Sequence, residues 1–216
     1  MKISPTTKGG KVRLLILVAL LAVVGYFSNV QVLYYYLRYS PHEGDIVFQS
    51  LMKCDVTDAI EGITHSPFSH CGVVIKENGQ WVVIEAIMDV RETPLFSWIL
   101  RGRRGAFAVY RLKPKYEAVI PEFKTHLIEF LGKPYDYDYE MSDTSIYCSE
   151  LIYKAFKKTN GEEMGKLEKF GDLDWKPYEA FIRSVQGNKV PVDRIMITPK
   201  SLSEAPQIEK QQSFGF

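Results

Sequence analysis

The chain has 216 residues and a mass of 24.8 kDa, which suits one compact domain, alone or with a short appendage. Hydrophobic residues make up 46% and charged residues 25%, so a disordered chain is excluded, and 15 Gly and 11 Pro are too few for a low-complexity or collagen-like one. The net charge of +1 excludes the broad basic field that drives nucleic-acid binding, and no nucleic-acid partner is expected.

The charge is unevenly spread. Residues 1–13 carry Lys2, Lys8, Lys11 and Arg13 and no acid. An apolar run follows from Leu14 to Phe27, and apolar character resumes from Val30 to Leu37. Counted through Leu37, the segment is long enough to cross a bilayer with some tilt, and a basic tip before it is an export or insertion signal. The expected organisation is a basic cytoplasmic tip (1–13), a transmembrane anchor or signal segment (14–37) and one folded domain (40–216) facing outward. A retained single-pass anchor is favoured by the tyrosine cluster at 34–36 and by the missing A-x-A cleavage site. A cleaved signal, with Val23-Val24-Gly25 as a substitute site, and a buried helix are the other readings.

From there the elements follow in chain order. Pro41 to Asp45 is a turn and Ile46-Val47-Phe48 opens a strand; Val56 to Ile63 suits a short helix, and Thr64 to Ser69 is a polar loop. His70 to Lys76 and Trp81 to Ala86 form a hairpin around Asn78-Gly79, the favoured two-residue turn. Ala106 to Leu112 reads as a strand. Ile120 to Leu131 is an amphipathic helix stopped by Gly132 and Pro134, and a second helix begins near Cys148. Val192 to Thr198 suits one more strand, and Ser201 onward is a tail folded back or frayed. Helices mixed with antiparallel strands indicate an α+β domain.

The hairpin places chemistry. With Asn78-Gly79 as its loop, Glu85 lies opposite Gly72, so His70 and Glu85 are diagonal neighbours on one face and Gly72 leaves the space between them open. Cys71, Val73, Ile75, Val82, Ile84 and Ala86 fall on the other face, a continuous apolar surface. A carboxylate beside an imidazole fixes its tautomer and favours its protonated form. The competing reading of the pair is a hydrogen-bonded surface contact. Cys148 opens a helix, where the dipole and free N–H groups favour a thiolate and can hold a developing oxyanion. The competing reading is a small buried apolar residue. Cys54 and Cys71 fit the nucleophile role less well, Cys71 because it lies on the face opposite His70. Those two either form a disulfide or stay free thiols.

Five blocks carry a resemblance: GDIVFQS (44–50), THSPFSHCGVVI (64–75), VIEA (83–86), GKPYDYDYE (132–140) and YCSELIYKAF (147–156). In this order, with the His ahead of the Cys, they resemble the permuted papain-like cysteine hydrolases of the YaeF/YiiX group. These are relatives of the NlpC-type peptidases and of lecithin:retinol acyltransferase-like proteins. The resemblance spans Gly44 to Pro206. It implies a small antiparallel sheet or half-barrel packed on the nucleophile helix, with Cys148 as nucleophile, His70 as general base and acid, and Glu85 as the orienting carboxylate. It also implies a peptide or acyl-amide substrate, cleaved without a metal or other cofactor.

Tyr135 and Asp136 match positions of the group. Tyr135 is a candidate substrate-binding residue, with a packing tyrosine as the alternative. Glu150 is expected to support the helix start, and His42, His65 and His126 to be surface or turn residues. The Arg101-Gly102-Arg103-Arg104 run is expected to be a solvated loop, with contact to an anionic lipid or a substrate carboxylate as the alternative.

Overall fold

A computed structural model describes residues 8–216; for Lys8, Gly9, Lys11 and residues 20–29 it describes the backbone alone. The elements in order are α1 (Lys8–Arg38), β1 (Ile46–Gln49), α2 (Asp55–Thr64), β2 (His70–Glu77), β3 (Gln80–Ala86), β4 (Val90–Pro94) and α3 (Leu95–Arg101). Then come β5 (Phe107–Leu112), α4 (Ile120–Glu129), α5 (Cys148–Asn160), β6 (Glu168–Lys169), α6 (Glu179–Val185), β7 (Ile195–Met196), α7 (Pro199–Ser203) and β8 (Ile208–Phe214). Six strands form one antiparallel sheet in the order β4-β3-β2-β1-β5-β8; β6 and β7 pair separately. This is the α+β class expected from the sequence.

The hairpin register is the one that Asn78-Gly79 dictates. Glu77 pairs with Gln80 and Val73 with Ile84. Asn78 and Gly79 both have positive φ, 48° and 80°, which matches the strand twist in a two-residue turn. Period two then sorts the sheet into two faces. Ile46, Phe48, Cys71, Val73, Ile75, Val82 and Ile84 pack against Phe123 and Leu127 of α4 and Leu151, Ile152 and Phe156 of α5. Val47, Val74, Val83, Phe107 and Val109 pack on the opposite face with Leu95, Trp98 and Ile99 of α3. With both faces covered, β1 is buried along its whole length, which is why it reads as an unbroken apolar run rather than an alternation.

The face that carries His70 and Glu85 is therefore interior, not surface. The element that covers it, α3, was not foreseen from the sequence; nor were β4, α6 and β8. The stretch from Ser201 folds back as expected, but its end adds the edge strand β8 to β5, with a bulge between Val109 and Tyr110. The strand expected over Val192 to Thr198 is reduced to Ile195–Met196.

The expected 14–37 anchor needs correction at its carboxyl end. Val32 is buried in the α3 face, and Tyr35, Tyr36 and Tyr39 pack on Phe214, Phe96 and Phe107. One side of the last turns of α1 is thus held against the domain, while Leu33, Tyr34 and Leu37 on the other side are exposed. The 16 residues from Leu14 to Asn29 would span about 24 Å as helix, short of a hydrocarbon core of roughly 30 Å. Among the described residues no helix is long and apolar enough to cross a membrane, and the side chains of residues 20–29 lie outside the described ones.

Candidate active site

His70 opens β2 and Cys148 opens α5, so two element starts deliver the two side chains to one end of the sheet. The His70 Nε2 lies 2.5 Å from Glu85 Oε2. The pair is buried, with His70 at 2% exposure and Glu85 at 0%. Glu85 has two further partners. The Thr93 hydroxyl of β4 donates to its Oε1 at 2.5 Å, and the Arg101 guanidinium, at the end of α3, binds Oε2. Burial opposes the charge on Glu85, but His70 and Arg101 overcome it and hold the carboxyl down at about pKa 2.

Cys148 is buried, and its thiol pKa is lowered well below the ordinary thiol value. The Cys71 hydrogen bond lowers it most; burial works against this, and the His70 hydrogen bond and charge lower it further. Conversely, burial pushes the Cys71 thiol up, and the neighbouring Cys148 adds to the rise. Burial disfavours a charged His70, yet the hydrogen bonds and charges of Cys148 and Glu85 lift it to about 9. The two shifts run in opposite directions, the thiol down and the imidazole up, so each group favours the charged form of the other. With Nε2 on Glu85, Nδ1 is the ring nitrogen left to face the thiol.

The helix start is braced. The Tyr147 N–H donates to Glu150 Oε2 at 3.2 Å, so Glu150 caps its own helix as expected, and burial lifts its pKa to about 7. The Ser149 hydroxyl donates to the Ile197 carbonyl at 2.8 Å, and the Ile197 N–H donates to the Tyr147 hydroxyl at 3.0 Å. This ties the segment after β7 to the first turn of α5.

All three cysteines are free. The register does put Cys71 on the face opposite His70, but α5 packs on that same Cys71 face, so Cys71 is the neighbour of Cys148 rather than remote from it. Gly72 does more than leave a gap. A Cβ there would lie 2.4 Å from Val83 Cγ1, 2.9 Å from the Ile84 carbonyl oxygen and 3.3 Å from Glu85 Cβ, so the strand itself closes on the glycine.

Tyr135 is half-buried, with its ring on Tyr137 and Tyr139 at 5.0 and 6.2 Å between centroids. Burial pushes its hydroxyl pKa up, and Tyr139 and the Cys148 charge push the same way. It is Tyr139, not Tyr135, that lines the large cavity reaching Cys148. Asp136 accepts from the N–H groups of Asp138 and Glu140 at 2.9 and 2.8 Å and so shapes the loop that carries Tyr139. His42 and His65 are exposed and His126 is half-buried on α4.

The arginine run is not a solvated loop. Arg101 binds Glu85, Arg103 binds Glu61 at 3.1 Å, and only Arg104 of the three is exposed. Arg101 and Thr93 are thus the site residues that sequence reasoning missed. Both belong to elements the sequence did not announce: Thr93 lies on β4, two residues past Arg91, the partner of Glu85, and Arg101 ends α3.

A cysteine at a helix amino terminus, a histidine and a buried carboxylate on a neighbouring hairpin, with the histidine first in the chain, are the residue types and the order of a rearranged papain-like thiol enzyme. Comparison with known proteins fixes the family. The model of the permuted papain-like amidase family YaeF/YiiX (C92) matches residues 40–210, and the chain belongs to that family. It is 30% identical over 173 residues to the uncharacterized protein YiiX of Escherichia coli strain K12, covering 79% of this chain and 85% of that protein. A crystal structure described as metalloprotein YiiX from Escherichia coli O157:H7 superposes with a TM-score of 0.76 at 30% identity, covering 81% of this chain and 98% of the other. In the present chain, no group of three His, Cys, Asp or Glu side chains among the described residues is placed to hold a metal ion.

Proposed function

We propose that the protein is a thiol-dependent hydrolase that cleaves an amide or peptide bond through a Cys148 acyl-enzyme, with His70 as general acid and base and Glu85 as the orienting carboxylate. The observation that carries this is the buried His70–Glu85 pair at 2.5 Å together with a buried cysteine, its thiol pKa lowered in part by the His70 charge, at the first residue of a helix. In the first half-reaction the Cys148 thiolate attacks the carbonyl carbon. The oxygen gains negative charge against the first-turn N–H groups of α5. The C–N bond then breaks as the imidazolium of His70 gives its proton to the leaving amine. In the second half, His70 takes a proton from water, the hydroxide attacks the thioester carbon, and the C–S bond breaks to return the thiolate.

The candidate substrates are a cell-wall peptide and a lipid-linked acyl amide. Acyl transfer to an acceptor other than water shares the first half-reaction, and the fate of the acyl group with and without added amine separates the two outcomes. The catalytic reading is tested by intact-protein mass spectrometry after mixing with candidate acyl amides and peptides. A thioester adduct on Cys148, absent in Cys148→Ala and slow to form in His70→Ala, is expected. An adduct elsewhere, or none with any substrate, overturns it.

For location, we propose that the basic tip and the apolar run after it direct the domain out of the cytoplasm, as a membrane anchor or as a cleaved signal. Amino-terminal sequencing of the native protein separates these: a start near Tyr26 means cleavage. Protection of the domain from protease in spheroplasts would refute the outward orientation.

A further inference from the structure

We propose that the cavity beside Cys148 is an acyl-chain site, so that the bond cleaved joins an aliphatic acyl group of several methylenes to an amine. This rests on Cys148 being the nucleophile. Cys148 is 4% exposed, and it lines an apolar cavity that is partly open to solvent. The walls are Ile60 and Ile63 of α2 facing Phe181, Ile182 and Val185 of α6. At the rim Val56 and Val185 are 40% and 53% exposed, an apolar surface that water covers poorly and a hydrocarbon chain would cover well.

The serine and threonine hydroxyls in the lining are engaged elsewhere. Ser149 donates to the Ile197 carbonyl and Thr64 to the Ile60 carbonyl, while the Ser69 oxygen accepts from the Leu51 N–H. The Thr198 oxygen accepts from the Ser201 N–H, and its hydroxyl donates to Glu168. Arg194 is the one charged side chain in the lining, and its guanidinium already binds Gln186 Oε1 at 2.7 Å and lies 4.0 Å from Glu140. A peptide rich in carboxylate and ammonium groups would lose hydration here and find few partners, whereas a methylene chain loses nothing on entering. Of the two substrate classes the site admits, the cavity selects the acyl amide.

The test uses the full-length protein and 4-nitroanilides of acetyl, hexanoyl and decanoyl groups, beside an alanyl-glutamyl 4-nitroanilide. The expected kcat/KM rises about two- to fourfold per methylene until the cavity is filled. Ile60→Trp and Val185→Trp, the latter at an exposed position that tolerates bulk, should each lower the decanoyl-to-acetyl ratio by about tenfold. A flat chain-length series, or faster cleavage of the acidic dipeptide, overturns the proposal. If no anilide is cleaved, the catalytic reading fails by itself, and calorimetry of decanamide binding to Cys148→Ala decides the cavity. Binding that Ile60→Trp abolishes supports an acyl site; no binding overturns it.

Discussion

Glu85→Gln isolates one negative charge at the centre of the site. The amide oxygen can still accept from His70 and Arg101, and the amide nitrogen can donate to the Thr93 hydroxyl oxygen, so shape and hydrogen-bond count are nearly kept. What is lost is the charge. The carboxyl is held at about 2 against an ordinary 4.5, which corresponds to about 3 kcal/mol of stability. A depressed carboxylate contributes fully above its unfolded pKa and loses its contribution as pH falls through the folded one. The wild type should therefore lose stability between about pH 4.5 and pH 2 more steeply than the variant. At neutral pH the variant should be less stable by about 2–3 kcal/mol, the worth of charge-assisted hydrogen bonds now made neutral.

The same charge supports the imidazolium. His70, lifted to about 9, stabilises the fold fully below its unfolded value near 6.5 and loses that contribution as pH rises through 9. Without Glu85 its pKa should fall by about one pH unit or more. The low pKa of Cys148 should rise as well, because thiolate and imidazolium stabilise each other. The assay is the rate of iodoacetamide alkylation of Cys148 against pH, in a Cys54→Ser background because Cys54 is exposed and its thiol pKa is lowered by the Thr57 hydrogen bonds. Histidine NMR on the same samples reads His70 directly. Alkylation below pH 6 should slow by about tenfold, with measurable hydrolysis retained. An unchanged alkylation profile and an unchanged His70 titration would refute the chain of charges.

Cys148→Ala and His70→Ala should abolish hydrolysis, and a His70→Ala protein with wild-type alkylation kinetics would show that ring and thiol do not communicate. Arg101→Gln should raise the Glu85 pKa and lower stability by about 1–2 kcal/mol, with acid unfolding shifted to higher pH as the readout; equal acid midpoints would contradict it. Cys71→Ala should raise the Cys148 pKa, since the Cys71 hydrogen bond is the largest contribution lowering it, and should slow alkylation at pH 6; no change would remove Cys71 from the site. Gly72→Ala should cost about 1–3 kcal/mol, because its Cβ meets Val83 and the Ile84 carbonyl; a melting temperature equal to wild type would mean that the two strands are further apart than 2.4 Å allows.

The His70–Glu85 pair lies in a layer between the sheet and α3, while Cys148, on the side of the sheet that α5 covers, lines the cavity open to solvent. Trp98 is fully buried on the His70 side, its ring centroid 6.3 Å from that of His70, and α3 carries both Trp98 and Arg101. The helix that closes the core over the hairpin thus also supplies the cation that holds Glu85 ionised. Low dielectric around the pair strengthens each of these contacts, and it would make a missing partner costly.

What the sequence determined is local. A two-residue Asn-Gly turn fixes a register, period two sorts faces, and together they placed His70, Gly72 and Glu85 on one side before any tertiary contact was known. A helix start at Cys148 and an acidic residue, Glu150, in its first turn follow from spacing alone. The tertiary structure decided everything that depends on what covers a face. Whether His70 and Glu85 were surface or interior depended on α3, whose seven residues carry too short a pattern to announce themselves. Arg101 looked like part of a solvated run because nothing local says that a chain reversal returns it to a strand 16 residues earlier. Cys71 was set aside because the side of the sheet on which α5 would dock is not encoded in the hairpin. The apolar cavity has the same origin: α2 and α6 are more than 100 residues apart in the chain, and only their packing across the start of α5 makes one pocket of them. Periodicity fixes how a segment presents its side chains; which other segment meets them is a matter of global burial.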